Sequence, residues 1–265
     1  MKRVLTAAVL LPIFIACVLA PDPLFFAGLV ALASVLGAIE FDKLARASGL
    51  MNFPFAVAVM SLAFLGTHLW PEAYGPADVV AAGLLGLMAW ALFAGVELRQ
   101  FLAGVSVTLF GALYLGFLLG YAVALRLDAE AGPQLVFLMC LVVWAGDSAA
   151  YYVGRGFGKR LLCPSVSPKK SWEGALANVA GSVLAAGIAK CTFFPALRWT
   201  DVAAIGLIIS LVGQLGDLFE SAIKRGAMVK DSSSLLPGHG GVLDRLDSLL
   251  FCGPVLYYYH QVWMT

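Results

Sequence analysis

Long apolar runs without a charged side chain recur along this sequence and constrain its fold more than any other feature. Only 12% of the 265 residues are charged and 61% are hydrophobic, which is more apolar surface than a soluble core can bury. A helix of about 17 to 25 apolar residues crosses a hydrocarbon layer of roughly 30 Å. The runs therefore predict an all-α, polytopic integral membrane protein with about nine transmembrane helices. The predicted spans are Val4–Ala20, Leu24–Ile39, Phe53–Trp70, Ala77–Gly95, Phe101–Leu125, Gln134–Val153, Ala175–Phe194, Val202–Ala222 and Leu249–Met264.

Two of these runs allow a second interpretation. The first follows Met1, Lys2 and Arg3 and ends before a Pro-Asp-Pro tripeptide, so a cleaved signal peptide competes with a membrane helix. A second apolar run follows almost at once, which favours a hairpin of membrane helices. The longest run, Phe101–Leu125, could instead combine an interfacial segment with a shorter span.

The basic residues predict the orientation, because Lys and Arg are retained on the cytoplasmic side during insertion. When the N-terminus is placed in the cytoplasm, all but three of the 17 basic residues fall on the cytoplasmic side. The exceptions are Arg126, Lys190 and Arg198. We therefore expect a multi-pass protein of the cytoplasmic (inner) membrane whose large charged loops, with any active site they form, face the cytoplasm.

The polar residues divide the chain into two functional regions. Residues 1–132 contain plain hydrophobic helices, predicted to form a scaffold that could carry oligomer contacts such as those of a homodimer. In residues 133–265 polar side chains enter the spans, which predicts a catalytic transmembrane region with cytoplasmic loops. The five cysteines lack a Cys-x-x-Cys spacing, so neither a cysteine metal site nor a disulfide framework is indicated. No nucleic-acid partner is expected.

A loop dense in charges, KRGAMVKDSSSLLPGHGGVLDRLD from Lys224 to Asp247, lies between the last two runs. Helical spacing places four polar residues on one stripe that leads into it: Asp217, Glu220, Ser221 and Lys224. Asp244 and Asp247 stand three residues apart where the last span is expected to begin. An ionised side chain at bilayer depth costs about 2.5 to 3.5 kcal/mol and persists where something neutralises or uses it. A single such acid is most simply a helix-end carboxylate, but several acids together with basic residues indicate a site.

The mixture of side chains in this loop suits a particular chemistry. Carboxylate oxygens are ligands of Mg²⁺, which proteins hold with one or two acids together with phosphates and water. Lys and Arg bind phosphates, and glycines let backbone N–H groups approach anionic oxygens. The loop therefore predicts a metal and polyphosphate site at the inner surface of the membrane.

The second charged loop, GRGFGKRLLCPSVSPKKSWEG from Gly154 to Gly174, matches neither common phosphate-binding motif. A Walker motif would need Gly, and Ser or Thr, at the positions that Val153 and Arg160 occupy. Lys159 takes the place of the third glycine of a dinucleotide fingerprint.

This loop instead predicts a basic turn, formed by Lys169 and Lys170, at the N-terminus of the next helix. Ser171 can cap that helix, where backbone donors favour anions. A plain positive-inside anchor would explain the lysines equally well. It would not explain the neighbouring residues Ser167, Pro168, Trp172, Glu173 and Gly174.

The segment SAIKRGAMVKDSSSLLPGHGGVLDRLD resembles the signature of the phosphatidate cytidylyltransferases, which are also called CDP-diacylglycerol synthases. That signature is S-x-x-K-R-x-x-x-x-K-D, followed by P-x-H-G-G and D-R-x-D. Every fixed position is matched, by Ser221, Lys224, Arg225, Lys230, Asp231, Pro237, His239, Gly240, Gly241, Asp244, Arg245 and Asp247. The segments WAGDSAAYYVGRGFGK and SPKKSWEG also resemble family blocks, in which Thr is common where Ser148 and Ser171 stand. The resemblance is strong from about Trp144 to Ser248.

The resemblance implies transfer of a cytidylyl group from CTP to phosphatidic acid, which gives CDP-diacylglycerol and pyrophosphate in phospholipid biosynthesis. It implies an Mg²⁺ centre, which could hold a second cation, on Asp217, Asp244 and Asp247. Six residues are expected to act in catalysis: Lys224, Arg225, Lys230, Asp231, His239 and Arg245. The basic residues among them are expected to contact phosphates. The residues expected to bind CTP and its phosphates are Asp147, Ser167, Lys169, Lys170, Trp172, Glu173, Gly240 and Gly241. His239 could instead only shape the turn, and His68 and His260 are expected to be structural.

Two other functions remain open at this stage. A CTP-dependent lipid kinase, of the dolichol or phytol kinase kind, would use similar helices and the same nucleotide but would give a phospholipid and CDP. A transporter would also bury acids among helices, yet it should show inverted repeats and broken helices in both halves. Here the polar residues crowd into one half of the chain.

Overall fold

The described structure is almost entirely helical. The computed structural model describes residues 2–233, 235, 238 and 240–264, with side chains from residue 6 onward. Its helices are α1 (Lys2–Leu19), α2 (Leu24–Ala47), α3 (Pro54–Leu69), α4 (Pro76–Phe93), α5 (Leu98–Ala112), α6 (Leu118–Arg126), α7 (Gly132–Phe157), α8 (Trp172–Cys191), α9 (Trp199–Gly226) and α10 (Leu243–Tyr259). A π-helical turn (Leu113–Phe117) joins α5 to α6, and another (His260–Met264) follows α10. Between α7 and α8 lies an antiparallel hairpin of strands β1 (Leu161–Cys163) and β2 (Ser167–Ser171).

Six helical stretches of the described chain are long and apolar enough to cross a membrane. They are Leu24–Ala47, Pro76–Phe93, Leu98–Arg126, Gly132–Phe157, Trp172–Cys191 and Trp199–Gly226, and the shorter apolar helices are Thr6–Leu19 and Pro54–Leu69. Phe93, Leu98 and Phe55 expose 90%, 85% and 82% of their surface, as expected where the neighbours are lipids. The chain is an all-α polytopic membrane protein, as predicted, whereas the predicted number of nine spans is not confirmed.

Helix α2 is longer than its predicted span, Leu24–Ile39, and ends at Ala47. The polar residues beyond the predicted end continue the helix, because Arg46 Nε and Asp42 Oδ1 form an ion pair one turn apart at 2.9 Å. The helix stops before Gly49, whose φ of 73° lies in the left-handed region that favours glycine. The first charged residue therefore wrongly predicted the end of α2, whereas the glycine correctly indicates where this helix ends.

The run around Phe101–Leu125 forms one continuous helical stretch of 29 residues, Leu98–Arg126. The structure thus favours a single span over an interfacial segment followed by a shorter span. Within its central π-helical turn, Gly116 lies against the backbone of α3, where an added Cβ would approach Ser61 O to 2.8 Å. Only a residue without a side chain fits this crossing.

Two compact units divide the chain. Unit 1 comprises residues 1–124 and 223–245, and unit 2 comprises residues 125–222 and 246–265. In unit 1, helices α3, α4 and α5 share a buried apolar cluster formed by Met60, Phe64, Val79 and Ala112. In unit 2, α7 packs closely on α8, because Gly181 has no side chain and can therefore lie against Ala149. The functional division predicted after residue 132 and the predicted homodimer stay predictions.

We expect Gly116→Ala to lower the melting temperature of the detergent-purified protein, because its Cβ would meet the backbone of Ser61, which side-chain rearrangement cannot relieve. Overpacking of this kind costs roughly 1 to 3 kcal/mol. Gly86→Ala is the matched control, since a Cβ at this α4 position meets nothing within 4 Å. Size-exclusion chromatography after heating measures both variants. Equal melting temperatures would contradict the close crossing.

Candidate active site

Lys224 and Asp244 form a buried ion pair in unit 1. Lys224 lies in the last turn of α9 and Asp244 in the first turn of α10, with Lys224 Nζ 2.6 Å from Asp244 Oδ1. Their side chains are only 11% and 6% exposed. The second oxygen, Asp244 Oδ2, accepts hydrogen bonds from the backbone N–H groups of Ser232 at 3.0 Å and Gly241 at 2.8 Å. Two backbone N–H groups of the charged loop therefore converge on the Asp244 carboxylate.

The hydrogen bonds of Asp244 outweigh the effect of its burial. Burial raises the pKa of Asp244, but the hydrogen bond from Lys224, the N–H groups of Gly241 and Ser232 and the charge of Lys224 together bring this pKa below its usual value. A carboxyl with a depressed folded-state pKa adds stability above its unfolded pKa of about 3.9. That contribution is lost as the pH falls through the folded-state pKa, so the pair is intact at neutral pH.

A second acid, Glu40 of α2, joins this cluster in unit 1 and was absent from the predicted site. It is buried, and its carboxylate accepts the N–H groups of Val242 at 2.9 Å and Leu243 at 2.8 Å. Ser232 Oγ lies 3.0 Å from Glu40 Oε2 and 2.9 Å from Asp244 Oδ2, so this hydroxyl bridges the two carboxylates. The sequence signal was a single acid within the apolar pattern of α2, just beyond the shorter predicted span.

Gly240 and Gly241 allow the loop to approach these acids. Gly240 has a φ of 81°, a backbone conformation that residues with a side chain rarely adopt. A Cβ on Gly241 would approach Glu40 Oε2 to 2.5 Å, so only glycine fits at that position. The sequence predicted that this pair brings N–H groups to anionic oxygens, and the Gly241 N–H does so, with Asp244 as its acceptor. Contact of either glycine with CTP phosphates stays a prediction.

Lys170 and Asp217 form a second ion pair, which lies in unit 2. Lys170 Nζ lies 2.6 Å from Asp217 Oδ2, and the two side chains are 25% and 33% exposed. Ser221 Oγ, one turn further along α9, donates to Asp217 Oδ1 at 3.4 Å. Each unit thus pairs a lysine predicted to contact phosphate with an aspartate predicted to hold a metal.

Lys169 and Lys170 lie in strand β2 and not in the predicted basic turn. The segment is extended because it pairs with β1, with Leu161 opposite Ser171 and Cys163 opposite Ser167. The pairing is irregular between these two pairs, where Lys169 and Lys170 lie. Lys169 is exposed, whereas Lys170 is partly buried and meets its aspartate.

Ser171 caps α8, as predicted. Its Oγ accepts the N–H of Gly174 at 3.1 Å, and the residue is buried. Glu173 Oε2 accepts the N–H groups of Lys159 at 3.1 Å and Arg160 at 3.3 Å. Glu173 therefore ties the segment before β1 to the start of α8, and its role in binding CTP stays a prediction.

A series of hydrogen bonds in unit 2 links Asp147 on α7 to Gln214 on α9. Asn178 Nδ2 on α8 donates to Asp147 Oδ1 at 3.2 Å, and Ser210 Oγ donates to Asn178 Oδ1 at 2.7 Å. Gln214 Nε2 completes the series by donating to Ser210 Oγ at 3.1 Å. Sequence reasoning missed the last three residues of this series, although each is a polar side chain within an otherwise apolar span.

The other predicted site residues are exposed or partly buried where the structure describes them. The exposed ones are Arg225, Lys230, Asp231 and Arg245 in unit 1 and Trp172 in unit 2. The partly buried ones, both in unit 2, are Ser167 and Asp247. His239 lies outside the described residues, so both interpretations of it stand. His260 Nε2 lies 2.9 Å from Asp128 Oδ2 within unit 2, which is consistent with a structural role.

The donor chemistry of the site suits Mg²⁺. Within residues 2–233, 235, 238 and 240–264, no three acidic, histidine or cysteine side chains converge where they could hold a metal ion. Asp217 and Asp244 offer carboxylate oxygens, the hard ligands that proteins supply to Mg²⁺ one or two at a time, with phosphates and water as the others. Each of these residues, within its own unit, fits as one ligand of such a partly ligated ion, and the Mg²⁺ centre itself stays a prediction.

The fold and the site define a polytopic membrane protein whose charged loops pair lysines with carboxylates. The chain belongs to the cytidylyltransferase family, whose profile matches residues 1–263. A phosphatidate cytidylyltransferase of Synechocystis sp. is 33% identical over 262 residues, which cover 89% of this chain and 88% of that protein. One from Pseudomonas aeruginosa is 37% identical over 96% of this chain and 94% of that protein. The match to one from Bacillus subtilis, at 42% identity, covers 56% of this chain and 55% of that protein.

We expect Ser171→Ala to destabilise the protein by about 1 kcal/mol, because the first turn of α8 loses the acceptor of its Gly174 N–H. Ser171→Thr retains the hydroxyl and should keep most of that stability. Thermal unfolding in detergent compares the two variants with the wild type. An equal loss in both would show that the hydroxyl is not the stabilising group.

Proposed function

We propose that this chain transfers the cytidylyl group of CTP to phosphatidic acid and releases CDP-diacylglycerol and pyrophosphate. Membership of the cytidylyltransferase family and relatives named phosphatidate cytidylyltransferase support this function. The structural observation that carries the proposal is the Lys224–Asp244 pair, which the signature loop holds at 2.6 Å. It offers a cation for phosphate and an anion for a metal within one cluster.

The proposed reaction needs positioning and charge stabilisation. An oxygen of the lipid phosphate attacks the α-phosphorus of CTP, and the bond from that phosphorus to the bridging oxygen of pyrophosphate breaks. The attack brings two anions together, and negative charge develops on the leaving pyrophosphate. Lysine ammonium groups oppose both effects. Because the lipid supplies the nucleophile, the protein needs no nucleophilic side chain.

The two ion pairs supply the charges that this chemistry requires. In unit 1 the proposal has Lys224 contact phosphate oxygens and Asp244 bind Mg²⁺. In unit 2 it has Lys170 contact phosphate oxygens and Asp217 and Asp247 bind Mg²⁺. Bound Mg²⁺ would neutralise charge on the oxygens of the leaving pyrophosphate. In this structure each of the two lysines neutralises one aspartate at 2.6 Å, which offsets the cost of keeping that carboxylate partly buried.

An apolar cavity of about 570 Å³ in unit 1 supports a lipid substrate. Side chains of α2 and α5 line it together with Ile223 and Gly226 of α9. Lys224 and Arg225 lie between those two residues in the sequence, so two cations proposed to bind phosphate share one helical turn with residues of an apolar cavity. We assign the cavity to the apolar part of phosphatidic acid.

We place the reaction at the cytoplasmic face of the inner membrane. The distribution of basic residues along the chain supports this orientation, and the similar proteins are bacterial. CTP approaches from water while the lipid tails stay in the bilayer, so the site must be accessible from both.

Labelled CTP distinguishes the proposed function from its alternatives. With Mg²⁺ and phosphatidic acid, the purified protein should move radioactive α-phosphorus from CTP into a lipid, whereas γ-phosphorus should leave as pyrophosphate. In a parallel reaction with a polyprenol or phytol as acceptor, a CTP-dependent lipid kinase would label the lipid from the γ-position only, and a transporter would label no lipid from either position with any acceptor. Thin-layer chromatography of the extracted lipid measures both labels.

We expect Lys169→Ala and Lys170→Ala to differ although the residues are adjacent. Loss of the exposed Lys169 should mainly raise the KM for CTP, by about tenfold, if Lys169 binds the nucleotide equally in the ground and transition states. Loss of Lys170 also removes the ion-pair partner of Asp217, so kcat should fall about tenfold as well. Steady-state kinetics at saturating phosphatidic acid measure both. Identical kinetics for the two variants would show that the ion pair of Lys170 with Asp217 has no part in the reaction.

A further inference from the structure

The carboxylate of Glu40 joins the two ends of the charged loop in unit 1. Glu40 Oε1 lies 2.5 Å from Ser233 Oγ and accepts the N–H of Val242 at 2.9 Å. Glu40 Oε2 lies 3.0 Å from Ser232 Oγ and accepts the N–H of Leu243 at 2.8 Å. Each oxygen therefore faces one serine hydroxyl from the segment after α9 and accepts one backbone N–H at the start of α10.

The two N–H groups belong to the beginning of α10. The first N–H groups of a helix have no partner within that helix, and its N-terminus carries a partial positive charge that favours an anion. Glu40 thus caps α10 from another helix, α2. Because Glu40 is only 1% exposed, water does not compete for these donors.

The same contacts set the position of Asp244. Ser232 contacts Glu40 and also lies near Asp244 Oδ2, with its Oγ at 2.9 Å and its backbone N at 3.0 Å. Asp244 directly follows Leu243 in α10 and receives Lys224 on its other oxygen. A shift of the loop away from Glu40 would therefore move the aspartate and disturb its lysine pair.

We propose that Glu40 is a positioning residue for cytidylyl transfer, which holds Ser232, Ser233 and the start of α10 so that Lys224 and Asp244 keep the geometry that the reaction needs. Glu40 has this role only if the chain is the transferase proposed above. It acts through the two serines and the first turn of α10.

Glu40→Gln tests the carboxylate at nearly constant size. Each carboxylate oxygen faces one backbone N–H, so the glutamine NH₂ group must point at Val242 or Leu243, from which it cannot accept a hydrogen bond. We expect kcat to fall about 100-fold, because Lys224 and Asp244 would lose the geometry proposed for the reaction. Glu40→Asp keeps a carboxylate, one methylene shorter, and should lose only about tenfold in kcat.

Ser34→Ala is the matched control, since Ser34 is a buried serine on the same helix whose Oγ donates to Leu115 O at 3.3 Å. Its kcat should stay within about twofold of the wild-type value. Hydrogen–deuterium exchange of peptides that contain Val242 and Leu243 provides a readout independent of turnover. Exchange should become faster in Glu40→Gln and stay unchanged in Ser34→Ala.

The exchange rates and kcat values together distinguish a positioning role of Glu40 from a purely structural contact. Faster exchange with an unchanged kcat would overturn the positioning role and leave Glu40 as a purely structural contact. Unchanged exchange in Glu40→Gln would overturn the link between Glu40 and the loop. If wild-type protein moves no α-label into lipid, the proposed function has failed, and the exchange experiment reports separately whether Glu40 holds the loop.

A milder variant covers the case in which Glu40→Gln does not fold. Ser233→Ala removes one hydroxyl donor and leaves both backbone N–H groups paired with Glu40. We expect its kcat to fall about threefold to tenfold, in keeping with the loss of one hydrogen bond to a charged group. A wild-type kcat in a folded Ser233→Ala protein would overturn the proposal.

Discussion

A carboxylate buried among apolar helices must be met by hydrogen-bond donors, and in unit 1 this requirement organises the charged loop. Taking an ion out of water costs several kcal/mol, and fixed partners must offset that cost. Glu40 and Asp244 obtain their partners from serine hydroxyls, backbone N–H groups and Lys224. Because these donors lie both after α9 and at the start of α10, satisfying the acids also holds these two described segments together. The stability of the loop and the geometry of the site depend on the same hydrogen bonds.

The two lysine–aspartate pairs give this chain a charge balance that suits the proposed substrates. A pair with opposite charges at 2.6 Å is nearly neutral as a unit, which reduces the cost of its burial. A polyphosphate with its bound metal ion also carries both negative and positive charge. When such a ligand binds, lysine and aspartate would each find an opposite charge on it, and the local net charge would change little.

The sequence predicted features that depend on composition or on neighbouring residues, and it missed features that depend on tertiary contacts. Charge-free runs gave the membrane fold, and the position of Ser171 gave the cap of α8, because both signals are local. Glu40 was missed because its donors come from another part of the chain. The strand of Lys169 was missed because it exists only through pairing with β1. Asn178 likewise acquires its importance from residues on two other helices.

The residues that meet at Glu40 are far apart along the chain. Ser232 follows Glu40 by 192 residues, and Leu243 follows it by 203. Synthesis proceeds from the N-terminus, so α2 is made long before the loop that supplies its donors. Contacts between such distant residues form late and slowly in folding. The acid of α2 therefore lacks these donors for most of the protein's biogenesis, and the charged cluster of unit 1 assembles only when nearly the whole chain has been synthesised.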